Sequence, residues 1–194
     1  MSGILNSRSD LFRVELPKIF IPDNIKKKYS PYIHRLPTII SDAGDLVNAS
    51  IQSVTVPAVS YDPVTQSRSS INPNPKGGHR GATRTFRSAK SENSLVDKTF
   101  TITFKLYDGF VNYWILQEAF YYYYNSMNTN TYTFDVPVRI LDSEGNMMYS
   151  IIYSEVLFTG LSEFQISYSD NIQQFKTFDC TFTYNQFLIK FEID

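Results

Sequence analysis

The sequence predicts a mainly β chain with a single helix packed on its sheet. Two segments alternate apolar and polar residues without a break, and a short turn rich in acidic residues and glycine separates two further strand-like runs. Aromatic residues are also abundant, with 15 Phe and 14 Tyr against a single Trp in 194 residues. Strict alternation puts one face of a strand in the core and the other in water, and Phe and Tyr favour half-buried pleated surfaces and interfaces.

Taken in chain order, LFRVEL (11–16) reads as a first strand. Residues 17–48 contain Pro22, Pro31 and Pro37 and the basic run Lys26-Lys27-Lys28, so no regular element is expected there. SIQSVTVPAV (50–59) reads as a strand. Residues 62–97, rich in Ser, Asn, Pro, Gly and Arg, read as a long loop of the kind that is usually functional or linker-like. It carries Arg68, Lys76, Arg80, Arg84, Arg87 and Lys90 against Asp62, Glu92 and Asp97, a local positive excess in a chain whose net charge is -1.

KTFTITFKLYD (98–108) is the clearest strand: Phe100, Ile102, Phe104 and Leu106 alternate with Thr99, Thr101, Thr103 and Lys105. DGFVNYWILQEAFYYYYN (108–125) spans about four helical turns, with Asp108 as its expected N-cap. Phe110, Trp114, Gln117 or Glu118 and Tyr121 form one stripe of it, with Val111, Ile115, Ala119 and Tyr122 beside them. FDVPVRILD (134–142) and MMYSIIYSEVLF (147–158) read as a hairpin turned at residues 142–146, where Gly145 supplies the positive φ. EFQISYS (163–169) is a further strand, and FKTFDCTFTY (175–184) repeats the alternation, placing Phe178, Cys180, Phe182 and Tyr184 opposite Thr177, Asp179, Thr181 and Thr183. The 98–108 and 175–184 segments are expected to pair in one sheet.

The chain is long enough for one well-buried core, so one domain over 1–194 is expected, with an extended insertion at 17–48 and a long basic loop at 62–97. Charged residues make up only 19%, which predicts that part of the surface is covered by partners. The opening MSGILNSRSD lacks an apolar signal-peptide core, and no run approaches the roughly 18 apolar residues of a membrane helix. The chain is therefore expected in the cytoplasm until it assembles.

Candidate chemistry is sparse. His34 and His79 have neither a second histidine nor a carboxylate at ligand spacing. Cys180 falls on the apolar face of its strand, where a thiol is inert. GGHRGATR (77–84) lacks the Lys-Ser/Thr ending of a phosphate-binding loop, so its glycines and arginines read better as a loop that meets carboxylates on another subunit. TRTFRSAK, around Phe86, interleaves basic and aromatic residues as a nucleic-acid contact would, but carries too little charge for a free DNA-binding role. Tyr121, Tyr122, Tyr123 and Tyr124 could stack on bases or sugars, although packing against protein uses the same residues. No nucleophile, base and orienting group come together, so no enzyme activity, cofactor, metal or small-molecule substrate is expected.

The order of these elements resembles the tail-tube family of contractile and long-tailed phages, which includes the tube protein of type VI secretion. DLFRVELP (10–17) is similar to the family's opening strand and SIQSVTVPAVSYD (50–62) to its second. GATRTFRSAK followed by KTFTITFKLYDGFVNYW is similar to its glycine and arginine loop, third strand and helix entry; residues 158–187 are similar to its closing section. The resemblance covers residues 10–187 and is one of pattern and spacing.

The resemblance implies an antiparallel β-sandwich or barrel with one flanking α-helix and long assembly loops. It further implies six copies to a ring and rings stacked into a tube that conducts DNA. The implied partners are further copies of the chain, baseplate or tail-completion proteins, a sheath and a tape-measure protein. The implied location is a virion tail assembled in the host cytoplasm.

Within that reading Thr99, Thr101, Thr103, Asp179, Thr181 and Thr183 are the expected lumen wall, being short, hydroxyl-bearing or acidic, and poor at holding phosphates. Arg68, Arg80, Arg84, Phe86, Arg87 and Lys90 are the expected subunit contacts. Two other readings stay open: a baseplate ring that initiates or adapts the tube, and a receptor- or glycan-binding β-sandwich that uses the tyrosine run.

Overall fold

The computed structural model describes residues 10–35, 40–57, 98–125, 133–166 and 175–191 in full, and 64–68 and 84–88 as backbone. The chain divides into two compact units, Met1–Val56 with Lys98–Asp194, and Pro57–Asp97. The first holds β1 (Phe12–Val14), β2 (Ile51–Val54), β5 (Thr99–Lys105), β6 (Phe134–Leu141), β7 (Met147–Leu161), β8 (Thr177–Thr183) and β9 (Gln186–Phe191). The second holds the antiparallel pair β3 (Val64–Arg68) and β4 (Arg84–Ser88). Residues 62–97, expected as a loop, therefore contain a strand pair.

The seven strands of the first unit form an antiparallel sheet in the order β1-β6-β7-β8-β5-β2, with β9 also paired to β7. The antiparallel, mainly β architecture is the expected one. The sheet is open, because β1 and β2 end the path and no described ladder joins them. A closed barrel is thus not formed.

The ladder between β5 and β8 runs without a slip for seven pairs, from Thr99 opposite Thr183 to Lys105 opposite Thr177. Since the side-chain period is two, an unbroken register sorts the residues into two pure faces. Phe100, Ile102, Phe104, Phe178, Cys180 and Phe182 take the core face, none more than 2% exposed. Their rings stack across the ladder, Phe100 on Phe182 at 5.3 Å and Phe104 on Phe178 at 5.3 Å between centroids. Burial pushes the Cys180 thiol well above its ordinary pKa, with the neighbouring Asp179 charge adding to the shift, so the thiol stays protonated and inert.

β7 is the longest strand, and it serves two sets of partners. Its first part pairs β6 and, between Tyr149 and Ser154, β9; its last part, from Leu157 to Leu161, pairs β8. Between them β6 advances two residues while β7 advances three, and Glu155 takes a positive φ of 53°. Asp135 Oδ1 accepts the Glu155 N–H at 3.1 Å and fixes this bulge. The expected hairpin is present: β6 turns into β7 through Gly145 at φ 87°, and Asp142 Oδ1 accepts from the N–H groups of Glu144 and Asn146, both at 2.8 Å.

Among the described residues three α-helices cover the core face, where one was expected. α3 (Val111–Asn125) is the expected one, but it begins after a turn at Asp108–Phe110 in which Gly109 and Phe110 both have positive φ. Val111, Ile115, Leu116 and Ala119 are its buried stripe, while Trp114 and Tyr121 face outward. Asn112, fully buried, ties the helix to the end of β5: its Nδ2 donates to Lys105 O at 2.7 Å and its Oδ1 accepts from Tyr107 N–H at 3.2 Å.

The other two helices lie in residues 17–48, where no regular element was expected. α1 (Asp23–Ile33) starts directly after Pro22, where a proline costs no hydrogen bond, and holds Pro31 in its last turn. α2 (Ala43–Ala49) is capped by Asp42, whose side chain accepts the Asp45 N–H at 2.9 Å. Asn48 then bonds both backbone groups of Leu16, at 2.8 and 3.1 Å, and so continues β1 with a side chain.

This segment is part of the core. Phe20, Ile21, Ile25, Ile33, Ala43, Leu46 and Val47 are each at most 4% exposed. The Phe20 ring lies 5.1 Å from that of Phe134, 5.6 Å from Phe158 and 6.0 Å from Phe182. Tyr123 of α3 donates to Phe20 O at 2.7 Å, and Glu118 of α3 takes both Lys28 and Tyr29 of α1. We predict that Phe20→Ala lowers the unfolding free energy by about 3–5 kcal/mol in urea titration; a loss below about 0.5 kcal/mol, the size of a surface substitution, would make the segment peripheral.

β1 is held to β6 by charge as well as by its ladder. Arg13 and Arg139 sit directly opposite, and Glu15 accepts from both, from Arg139 at 3.0 Å. Burial alone would raise the Glu15 pKa, but the hydrogen bonds from Arg139 and Arg13 outweigh it and hold the carboxyl below its ordinary value. A depressed folded-state pKa contributes stability above the unfolded-state value and loses it as pH falls through the folded one. Glu15→Gln should therefore narrow the difference in melting temperature between neutral pH and pH values below the ordinary carboxylate range; an unchanged difference would remove Glu15 from the acid response.

Candidate functional site

The face of β5 and β8 that turns away from the core collects all six residues expected to line a lumen. The ladder sets Thr99 opposite Thr183, Thr101 opposite Thr181 and Thr103 opposite Asp179. Threonine suits this position twice over: its branched Cβ favours the pleated backbone, and its hydroxyl is at home in water. In the single chain Thr99 is exposed and the other five are half-buried.

Neighbouring strands widen the same face. Ser53 of β2 is opposite Thr103. Thr55, one residue past β2, bonds both backbone groups of Thr101: its N–H donates to Thr101 O at 2.9 Å, and its side-chain Oγ1 accepts the Thr101 N–H at 2.8 Å. On the other side Thr159 of β7 donates its hydroxyl to Thr181 O at 3.1 Å. Sequence reasoning stopped at β5 and β8; Ser53, Thr55 and Thr159 were visible as hydroxyl residues, but their register was not.

The electrostatics of this face are weak by construction. Its central charge, Asp179, accepts a hydrogen bond from Thr103 Oγ1 at 2.7 Å. Lys105 ends the row, with its ammonium 3.5 Å from the centre of the Phe175 ring. What remains is a patch made mostly of short, stiff hydroxyl side chains, bordered by the exposed Leu157 opposite Thr183, with no cluster of cations among the described residues to hold a phosphate chain.

The expected subunit contacts fall in the second unit. Arg68 and Arg84 are opposite each other at one end of the β3–β4 ladder, Gln66 is opposite Phe86, and Thr65 is opposite Arg87. By the two-residue period, positions 84 and 86 share one face of the pair and position 87 lies on the other. Arg80 and Lys90 lie outside the described residues, as do His79 and most of GGHRGATR.

Other candidates resolve simply. His34 is exposed and its Nε2 lies 3.0 Å from Ser30 Oγ. Among the described residues no three His, Cys, Asp or Glu side chains group as metal ligands. Of the tyrosine run, Tyr123 packs inward, whereas Tyr121, Tyr122 and Tyr124 are 53%, 39% and 78% exposed. A surface missed entirely is β9, whose six residues are all exposed although four are Phe, Leu or Ile.

No protein-family model matches the sequence, and no curated protein matches it significantly. Solved structures share the fold. A chain in the cryo-EM structure of the anti-feeding prophage cap, described as a tube-terminating cap, is 11% identical with a TM-score of 0.54, the match covering 98% of this chain and 95% of that one. A chain in the extended sheath-tube complex of PVC, an extracellular contractile injection system, is 11% identical with a TM-score of 0.53, covering 97% and 94%. A chain in the six-fold symmetrised anti-feeding prophage baseplate is 12% identical with a TM-score of 0.51, covering 97% of both chains. Over nearly its whole length, the chain has the fold of chains found in these tube-cap, sheath-tube and baseplate assemblies.

Proposed function

We propose that the protein is a structural, non-catalytic subunit that assembles into hexameric rings stacked as the tube of a phage-like tail or contractile injection machine. The observation that carries this reading is the extent of the shared fold, in which almost the whole of this chain matches almost the whole of chains from a tube cap, a sheath-tube complex and a baseplate. The hydroxyl face supports it. Closed into a ring, that face becomes a wet, nearly neutral wall along which DNA slides with little electrostatic adhesion. The partners are then further copies of the chain, baseplate or tail-completion proteins, a sheath and a tape-measure protein.

A second reading keeps the fold and changes the stopping point: a single baseplate ring that initiates or adapts the tube. It is favoured by the matches to chains in a tube-terminating cap and in a baseplate. The glycan-binding reading has the exposed Tyr121, Tyr122 and Tyr124 in its favour, with Tyr122 sharing a surface cleft with Asp23, Asn24 and Lys26, but it does not draw on the shared fold over the whole chain.

Negative-stain microscopy of the purified protein separates these readings: rods are expected for the main tube and isolated rings for an adaptor, and a monomer at all concentrations would overturn both. Replacing Arg84, Phe86 and Arg87 together with alanine should abolish rods. Normal rods from that variant would take the β3–β4 segment out of the subunit contact.

A further inference from the structure

We propose that one copy of the chain joins the next by laying the outward stripe of α3 on the exposed face of β9. The inference rests on the reading of the chain as a ring-forming subunit, and it names a contact separate from the β3–β4 segment.

The first ground is the uncovered face of β9. Phe187, Ile189 and Phe191 sit opposite Tyr153, Ile151 and Tyr149 of β7, so all six share one face of the sheet. On β7 that face is core, with Tyr153 and Ile151 at 1% and 7% exposure. On β9 the same face is in water, with Phe187, Ile189 and Phe191 at 41%, 46% and 67%. The layer that covers the sheet stops short of this strand. A sheet face is completed by a second sheet or by the apolar stripe of a helix.

The second ground is that α3 has such a stripe to spare. Its own core contacts are made by Val111, Ile115, Leu116 and Ala119. At about 100° per residue, positions 114, 117, 121 and 124 lie on the opposite side of the helix. Trp114, Tyr121 and Tyr124 are exposed there, Gln117 lies between them, and none of the four is charged. Of the fourteen large apolar side chains exposed among the described residues, eight belong to α3 and β9, so the uncovered apolar surface is concentrated on these two elements.

The third ground is fit, and it selects an identical chain as the occupant. At roughly 200 Å² for a whole large side chain, each surface leaves on the order of 300 Å² in water. The two are matched in area, and one contact buries about 600 Å², roughly two-thirds of the non-polar part of a standard interface. The helix that β9 lacks is thus one that the chain itself exposes. Symmetry excludes the other self-pairings. A contact of α3 with α3, or of β9 with β9, is two-fold and stops at a dimer; α3 on β9 joins two different surfaces and closes into a ring when the rotation divides a full turn.

The test uses the full chain. Tyr121→Lys and, separately, Phe191→Lys place charges on side chains already in water. Each should melt like the wild type and yet lose roughly ten-fold or more in the assembled fraction by sedimentation at equal concentration. Leu188→Lys, on the other face of β9, should change that fraction less than about two-fold. In an assembled mixture of isotopically light and heavy chains, a photo-crosslinking residue at position 121 should join one chain to peptides of another that contain residues 186–191. If the wild type assembles and the first two variants assemble as fully, or Leu188→Lys loses as much as they do, the contact is overturned and the tube reading stands. Crosslinks that stay within one chain, or reach residues 57–97 or position 121 of another copy instead, overturn it equally. If the wild type never assembles, the tube reading falls and this inference falls with it.

Discussion

The unbroken register between β5 and β8 is the constraint on which the rest of the structure depends. Seven pairs without a slip mean that no residue is shared between faces, so the interior is built of Phe, Ile and Cys while the opposite side is Thr, Asp and Lys. A shift by one residue would exchange the two sets entirely. The helices pack on the first face, and the proposed work of the protein is done by the second. On the proposed reading, stability and function are thus two sides of one ladder.

The bulge at Glu155 marks where the partners of β7 change. Before it, β7 lies between β6 and β9; after it, β7 lies beside β8. β8 and β9 follow the same division, parting at Tyr184 and Asn185, and the Asn185 side chain bonds the Glu155 carboxylate. A non-glycine residue at φ 53° is strained, and here the strain is held by Asp135 and Asn185 at the point where the partners of β7 change. The hydroxyl face belongs to one side of that division and the exposed apolar edge of β9 to the other.

The strands with a period of two were legible in the sequence because their signal is local. Thr99–Lys105, Thr177–Thr183 and the hairpin from Phe134 onward could be read directly, and so could the helix from Val111. What escaped was structure whose signal lies in partners far along the chain. The prolines of residues 17–48 looked like breakers, yet Pro22 precedes a helix and Pro31 sits near its end, and the segment folds because Phe20 fills a space among Phe134, Phe158 and Phe182. EFQISYS was expected to be a strand, but residues 163–166 form none: Phe164 instead packs on Phe110 and Tyr113, at 4.9 and 4.6 Å. β9 escaped because four apolar residues among six do not alternate, and a strand wet on both faces has no reason to. The six residues of the hydroxyl face were legible as strand faces, whereas their shared ladder with Ser53, Thr55 and Thr159 required the fold.

The central claim is that this hydroxyl face encloses a channel once the chain has assembled. Cys180 is buried and is the chain's only cysteine, so a single added thiol reports on the face alone. Thr101→Cys, assembled and then exposed either to a small maleimide or to one carried on a long polyethylene glycol chain, tests the claim most directly. The account predicts that the small reagent modifies the assembled protein and the polymer-borne one does not, while both modify the dissociated chain. Equal reaction of both reagents with the assembled form would put the face on the outside and contradict the account.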